Sequence, residues 1–305
     1  MNRSADVSWR PVRHEWVFQY TSHLGYLPPE FRPQFVETVG VEVESDPQRH
    51  VQFAADIGMT GVMYPWALSR PPKESATVAR ALRELGLRGG AVVSVPLAEL
   101  GKPQWADRSA HGRAELEDRV RAAVGMAREL RSGLIVAFPS VDGPVTDEHL
   151  SNVALNLRDM SRISGDEGIG IALEPMTLLP HVVVRSIDTA VDLVARAESE
   201  SVGIIYDTGH VATMGDDLLD ALDRVYPYLS LVQFADQPGR VHPGGGTLDI
   251  TAVAVDLLRR GYRGLVDLEH GWPALDRDAE TAGLQQLRAF DDGVRQEFAV
   301  TTSRL

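Results

Sequence analysis

Glu174, Asp207, Gln233 and Glu269 stand at the ends of four short apolar runs, IGIALEP, VGIIYDTGH, LSLVQFAD and GLVDLEH. The separations between them are 33, 26 and 36 residues, each near the length of one strand plus one helix. Parallel strands deliver their C-terminal residues to one common face, so oxygen-bearing side chains in consecutive units can converge on a single divalent cation. A lone acid at a strand end is ordinarily a helix cap or a surface charge. Four such residues in succession, each preceded by apolar residues of buried character, point instead to one site. Oxygen donors with one neutral amide and no thiolate suit a hard ion, Mn2+ or Mg2+, with Co2+ as a substitute. A metalloenzyme is the expectation.

Positioning these side chains requires strands that alternate with helices. Short β-branched runs occur at 16–21, 60–64, 90–95, 133–138, 169–174, 202–207, 229–234 and 264–269. Helical patterns lie at 73–86, 112–131, 148–163, 187–199, 216–226, 248–260 and 274–297. In 112–131 the residues Leu116, Val120, Ala123, Val124, Ala127 and Leu130 recur at three- and four-residue steps, the mark of one buried helix face. Glycine precedes several strands, at Gly61, Gly90, Gly133, Gly168, Gly203 and Gly264, where a helix must stop and turn. This alternation predicts a single closed (β/α)8 TIM barrel over residues 1–305. An open doubly wound sheet would alternate in the same way, but it normally carries a glycine-rich loop after its first strand, and none follows WVFQYT.

One segment breaks the regularity. Residues 22–46 hold three prolines and intrude between the first strand and its helix, as an ordered excursion over the catalytic face that serves as a lid or a partner surface. Leu24, Tyr26, Leu27, Phe31 and Phe35 carry more apolar surface than a solvated loop usually exposes. They predict packing against a second copy of the chain or a small dedicated subunit.

Composition narrows the function classes. A net charge of −13, with arginines dispersed among acids, argues against nucleic acid or an anionic membrane as partner. No run of eighteen apolar residues is present, and the first residues lack the apolar core of a signal peptide. The absence of cysteine excludes disulfides, thiolate zinc sites and cysteine nucleophiles, and fits a cytoplasmic enzyme.

The tracts LEPM, YDTGH and VQFADQPGRVHPGGGTLDI resemble the sugar-phosphate isomerase and epimerase superfamily of xylose-isomerase-like TIM barrels, with hydroxypyruvate isomerases as near relatives. The family pattern is Glu-Pro after strand five, Asp-x-x-His after strand six, and His or Gln with Asp three residues on at strand seven. A Pro-Gly-Arg-x-x-Pro-Gly-x-Gly loop and a Glu at strand eight complete it. Here these are Glu174-Pro175, Asp207 to His210, Gln233 to Asp236, the loop with Arg240, and Glu269. Residues 165–275 carry the resemblance strongly, and the first half shares only the barrel periodicity.

The resemblance implies that Glu174, Asp207, Gln233 and Glu269 bind the metal and that Glu174 and Glu269 act as the acid/base pair. The reaction it implies removes a proton next to a carbonyl of a small ketose, keto-acid or related sugar through an enediolate. His210 is suited to donate to a substrate oxygen, or else is a hydrogen-bonded histidine at a helix start. Arg240 faces the reacting ligand in relatives; the alternative is a surface arginine paired with Asp236. His242 is a weaker substrate-binding candidate in the same loop. Tyr64 and Trp66 end strand two, where aromatics stack on sugar faces; core packing is the alternative for Tyr64, while Trp66 lies past the strand and is harder to bury. Met176 and Thr177 stand where many relatives carry Leu and Asn. Apurinic endonucleases of the same fold need histidines at the ends of strands two and three, which here are Tyr64-Pro65 and Val95-Pro96. Two activities remain: a metal-dependent isomerase or epimerase, and the large subunit of a C-glycoside deglycosidase, a lyase that expels an aglycone from a 3-oxo-glycoside with a small partner subunit.

Overall fold

Short β-branched runs between amphipathic stretches fold as their alternation predicts. The computed structural model describes residues 11–25, 33–39, 46–178 and 181–303. Its strands are β1 (Gln19–His23), β2 (Gly61–Met63), β3 (Arg88–Gly89), β4 (Val92–Val93), β5 (Leu134–Ala137), β6 (Gly170–Leu173), β7 (Val202–Asp207), β8 (Leu229–Gln233) and β9 (Leu265–Asp267). All pairings are parallel, in the order β3-β2-β1-β9-β8-β7-β6-β5-β4.

The two ends of that order are consecutive in sequence, and this closes the ring. Gly90 N donates to Val62 O at 3.1 Å, and Ser94 N donates to Val136 O at 2.9 Å, so the stretch 88–94 bonds the second stave with its first half and the fourth with its second. The nine short strands are therefore eight staves of a TIM barrel, the third of them broken between β3 and β4. Gly61 is needed where the second and third staves meet, because a Cβ there would meet the Arg88 carbonyl oxygen at 2.2 Å.

Outside the ring lie α1 (Gln48–Asp56), α2 (Pro72–Glu84), α3 (Ala110–Glu129), α4 (Asp147–Gly165), α5 (Ile187–Ala197), α6 (Thr208–Met214), α7 (Leu218–Val225), α8 (Ile250–Arg259) and α9 (Arg277–Thr302). The predicted apolar row of α3 is buried against β4 and β5, and Ser109 caps the helix by accepting from Gly112 N. Gly168 takes φ +70°, turning the chain out of α4 into β6 in a conformation that side chains rarely adopt. None of the described helices is long and apolar enough to cross a membrane.

The first stave departs from expectation. It runs from Gln19 to His23, not 16–21, so Ser22 and His23 belong to the barrel and not to an excursion. The apolar run WVFQYT marked the wrong end, because β1 turns polar Thr21 and His23 into the buried interior. The expected partner surface is also partly filled from within. Leu24 is 2% exposed and Phe35 is fully buried, the latter packed on Phe53 and Trp272. Val36, Glu37 and Thr38 donate their backbone N–H groups to the Glu280 carboxylate of α9 at 3.1, 3.0 and 2.7 Å. Leu24 and Phe35 therefore need no second chain to cover them; Tyr26, Leu27 and Phe31 lie outside the described residues.

Helix α9 also fastens the start of the chain. Val17 N donates to both oxygens of Asp291, at 3.1 and 3.2 Å, and His14 Nε2 lies 3.0 Å from Asp291 Oδ2. Arg288 and Arg295 donate to the carbonyls of Val12 and Glu15.

Candidate active site

Each polar residue singled out at a strand end reaches the C-terminal mouth of the ring. Asp207 closes β7 and caps α6, its Oδ1 accepting from His210 N at 2.7 Å. Gln233 closes β8, and Glu174 and Glu269 lie just beyond β6 and β9. A cavity of about 190 Å³ opens there, and His23, Glu174, His210, Arg240 and Glu269 are among its lining residues. That volume suits a small metabolite and is below the range for drug-sized ligands.

Arg240 ties the group together. Its Nη1 and Nη2 meet Asp207 Oδ1 and Oδ2 at 3.1 and 2.8 Å, and Nη2 lies 3.2 Å from Glu269 Oε1. Gly209 permits this approach, since a Cβ there would sit 2.9 Å from Arg240 Nη1. Gln233 Nε2 donates to Glu269 Oε2, and His210 Nε2 lies 3.2 Å from Glu174 Oε1. Arg240 itself is held at φ 54° by a loop wound around Asp236. That carboxylate accepts from the backbone N–H groups of Gln237, Gly244, Gly246 and Leu248 at 2.8 to 3.1 Å. Arg240 is thus paired with Asp207 and Glu269 and not with Asp236.

The electrostatics follow from burial. Burial pushes the Glu269 carboxyl well above the usual range; Glu174, Asp207 and Asp267 add to the rise and Arg240 opposes it. Burial alone would also raise Asp207, but Arg240 and His210 outweigh it and hold that carboxyl below its ordinary value. Burial drives Asp267 up to about 8 and the His23 ring down to about 3. Four carboxyl groups therefore crowd around one guanidinium beside a neutral histidine.

This donor set fits a divalent cation. The buried oxygens Gln233 Oε1 and Asp267 Oδ2 accept no hydrogen bond, and Glu174 Oε1 has only the His210 ring beside it. Unsatisfied buried acceptors surrounded by excess negative charge are what a cation offsets. Arg240 Nη2, in contact with both Asp207 and Glu269, marks where positive charge is held between two of the four expected ligands.

Residues 51–291 match the family described as Xylose isomerase-like TIM barrel, and that span is most of the chain. The chain belongs to this family. A Streptomyces coelicolor protein named for hydroxypyruvate isomerase is 27% identical over 236 residues, 71% of this chain and 82% of that protein. An uncharacterized protein of Methanocaldococcus jannaschii is 25% identical over 59% of this chain, and the match spans 64% of that protein's length. An inosose isomerase of Bacillus velezensis is 25% identical over 57% of this chain and 66% of its own. Among solved structures, that of the IOLI protein with a zinc atom shares the fold, with a TM-score of 0.69 and 16% identity over 92% of this chain and 99% of that one.

Within this xylose isomerase-like barrel the other expected contacts divide. Trp66 lines the cavity and is buried despite lying past its strand. Tyr64 does not line it; its hydroxyl donates to Glu74 Oε1 at 2.5 Å, on the helix side of the stave. His242 is also outside the lining, with Nε2 2.5 Å from Gln286 Oε1 and its ring against Trp272. Sequence reasoning missed His23 and Asp267. Thr21 donates to Asp267 Oδ1 at 2.8 Å, and His23 Nε2 lies 3.8 Å from Asp267 Oδ2. The signal that could have found them is alternation: Thr21 and His23, like Asp267 and Glu269, are two residues apart and share the inward face of a stave.

Proposed function

We propose that this chain is a divalent-metal-dependent isomerase or epimerase that removes a proton next to the carbonyl of a small ketose, keto-acid or related sugar. The observation that carries this reading is the pair Glu174 and Glu269. Both carboxylates line one small cavity, and each is in contact with a cationic or hydrogen-bonding neighbour that can steady it during proton transfer. The names of the hydroxypyruvate and inosose isomerases among its relatives support the same class of reaction.

A cation held by Glu174, Asp207, Gln233 and Glu269 would polarise the substrate carbonyl and favour the enediolate charge. Mn2+ is the first choice for an all-oxygen set. Glu174 and Glu269 come from staves five and eight, so one can take the proton while the other returns it at a neighbouring atom. His210, oriented by its contact with Glu174, is placed to donate to a substrate oxygen. Arg240 holds Asp207 ionised and covers Glu269.

The test is proton exchange followed by NMR in deuterated water, using the Mn2+-loaded chain and a panel of ketoses, keto-acids and 3-oxo-glycosides. Exchange at the carbon next to the carbonyl supports the reading, and its absence across the panel at full metal occupancy overturns it. The carbon–carbon lyase alternative begins with the same abstraction and is recognised in the same tubes by aglycone release.

A further inference from the structure

The cavity is split by chemistry. Among the described residues lining it, the ionisable side chains His23, Glu174, His210, Arg240 and Glu269 neighbour one another and make up its polar end. The remaining lining is apolar apart from the Trp66 indole N–H and includes Trp66, Leu97, Leu100, Val136, Phe138 and Met176, with Leu178 60% exposed. No Ser, Thr, Asn, Gln or Lys is found among the described residues lining it. The groups at the polar end are moreover engaged with one another, His210 with Glu174 and Arg240 with Asp207 and Glu269.

A polyhydroxy chain extending from the reacting carbons along these walls would press most further hydroxyls against carbon, since among the described wall residues only the Trp66 indole N–H can donate and no side chain accepts. Burial of an unpartnered hydroxyl is unfavourable, and burial of an alkyl or aryl group in its place is favourable. Selectivity of that kind is a difference between two affinities, and here the walls supply both the attraction and the rejection.

We infer that the substrate is an amphipathic carbonyl compound, with an α-hydroxycarbonyl head at the polar end and an apolar ring or branched alkyl group against the Leu97, Leu100 and Phe138 wall. The identity of the head rests on the proton abstraction proposed above; the tail follows from the walls alone. Trp66 and Phe138 offer aromatic surface on which a flat tail can pack.

The experiment measures binding and exchange separately on the Mn2+-loaded full chain. Isothermal titration calorimetry compares benzyl hydroxymethyl ketone with hydroxyacetone, which lacks the tail, and with fructose, which replaces it by hydroxyls. The benzyl compound is expected to bind about tenfold or more tightly than either. Leu97→Asn and Leu100→Asn, at half-buried positions, are each expected to shrink that ratio, with folding checked by circular dichroism. Fructose binding as tightly as the benzyl ketone, or a ratio unmoved in both folded variants, overturns the inference. Preferential binding of the benzyl ketone without solvent exchange on any compound upholds the ligand class and overturns the proton-abstraction reading instead.

Discussion

Glu174 and Glu269 can be separated from mere ligands by exchanging each for its amide. Glu174→Gln and Glu269→Gln keep an oxygen donor and remove the base, so turnover is expected to fall about a hundredfold or more with metal retained. Near-normal turnover in both variants, with metal content measured, would assign the proton to another group. A second prediction concerns His50, buried with Nε2 2.9 Å from Ser22 Oγ and driven by burial down to about 3. Unfolding returns its pKa to about 6.5, so the unfolded chain binds the extra proton first. The contribution of His50 to stability is complete above that pH and is lost as the pH falls toward 3, with a limiting slope of about 1.4 kcal/mol per pH unit. His50→Gln should flatten the fall of the urea midpoint between neutral and mildly acidic pH, and an unchanged profile would count against it. The four strand-end residues were legible because polar side chains closing apolar runs stand out. His23 and Asp267 were not, since a polar residue inside a stave looks like the strand's end until the register is known. His242, the weaker candidate in the same loop, has its ring against Trp272 and its Nε2 beside Gln286, contacts with distant residues that a loop pattern does not reveal.

Elements were legible where an apolar face repeats over several turns, as in α3, and were misread where packing overrides pattern. The third stave is too short and too interrupted to announce that its halves pair with different neighbours. Helix α6 was missed because it begins directly on Asp207 and has only two turns. The glycine-rich loop after β8 is wound tightly, and Gly246 is required because a Cβ would meet Gln237 O at 2.3 Å and Asp236 Oδ1 at 2.4 Å. This makes Asp236 a positioning residue for Arg240. Asp236→Ala leaves the N–H groups of Gln237, Gly244, Gly246 and Leu248 without their acceptor, at an expected cost of about 3 kcal/mol or more. Denaturation midpoints measure that loss, and turnover should fall as well because Arg240 is no longer aimed at Asp207. Wild-type stability would mean that the loop is held by something else.

At the scale of the molecule the barrel is a ring whose seam joins its first and last staves, and Asp291 bolts that seam from outside. Asp291→Ala is expected to lower stability by about 2–3 kcal/mol, since Val17 N and His14 lose their buried partner. A urea titration reads it, and a midpoint shift below a few tenths of a molar would show the bolt to be redundant. The same seam sets a timetable for synthesis. Val17 and Asp291 are 274 residues apart, so at ribosomal rates of roughly 5–20 residues per second the first stave, which can pair early with β2, waits tens of seconds for α9 and the last stave. During that wait the side of β1 that will pair with β9 is an open edge that other nascent chains can meet. Its sequence QYTSH has a single large apolar side chain, Tyr20, and lacks the run of β-branched apolar residues that zips into aggregates. The polar side chains of the first stave, which place Thr21 and His23 beside Asp267 in the folded barrel, therefore also make its open edge a poor template for aggregation while the last stave is still being made.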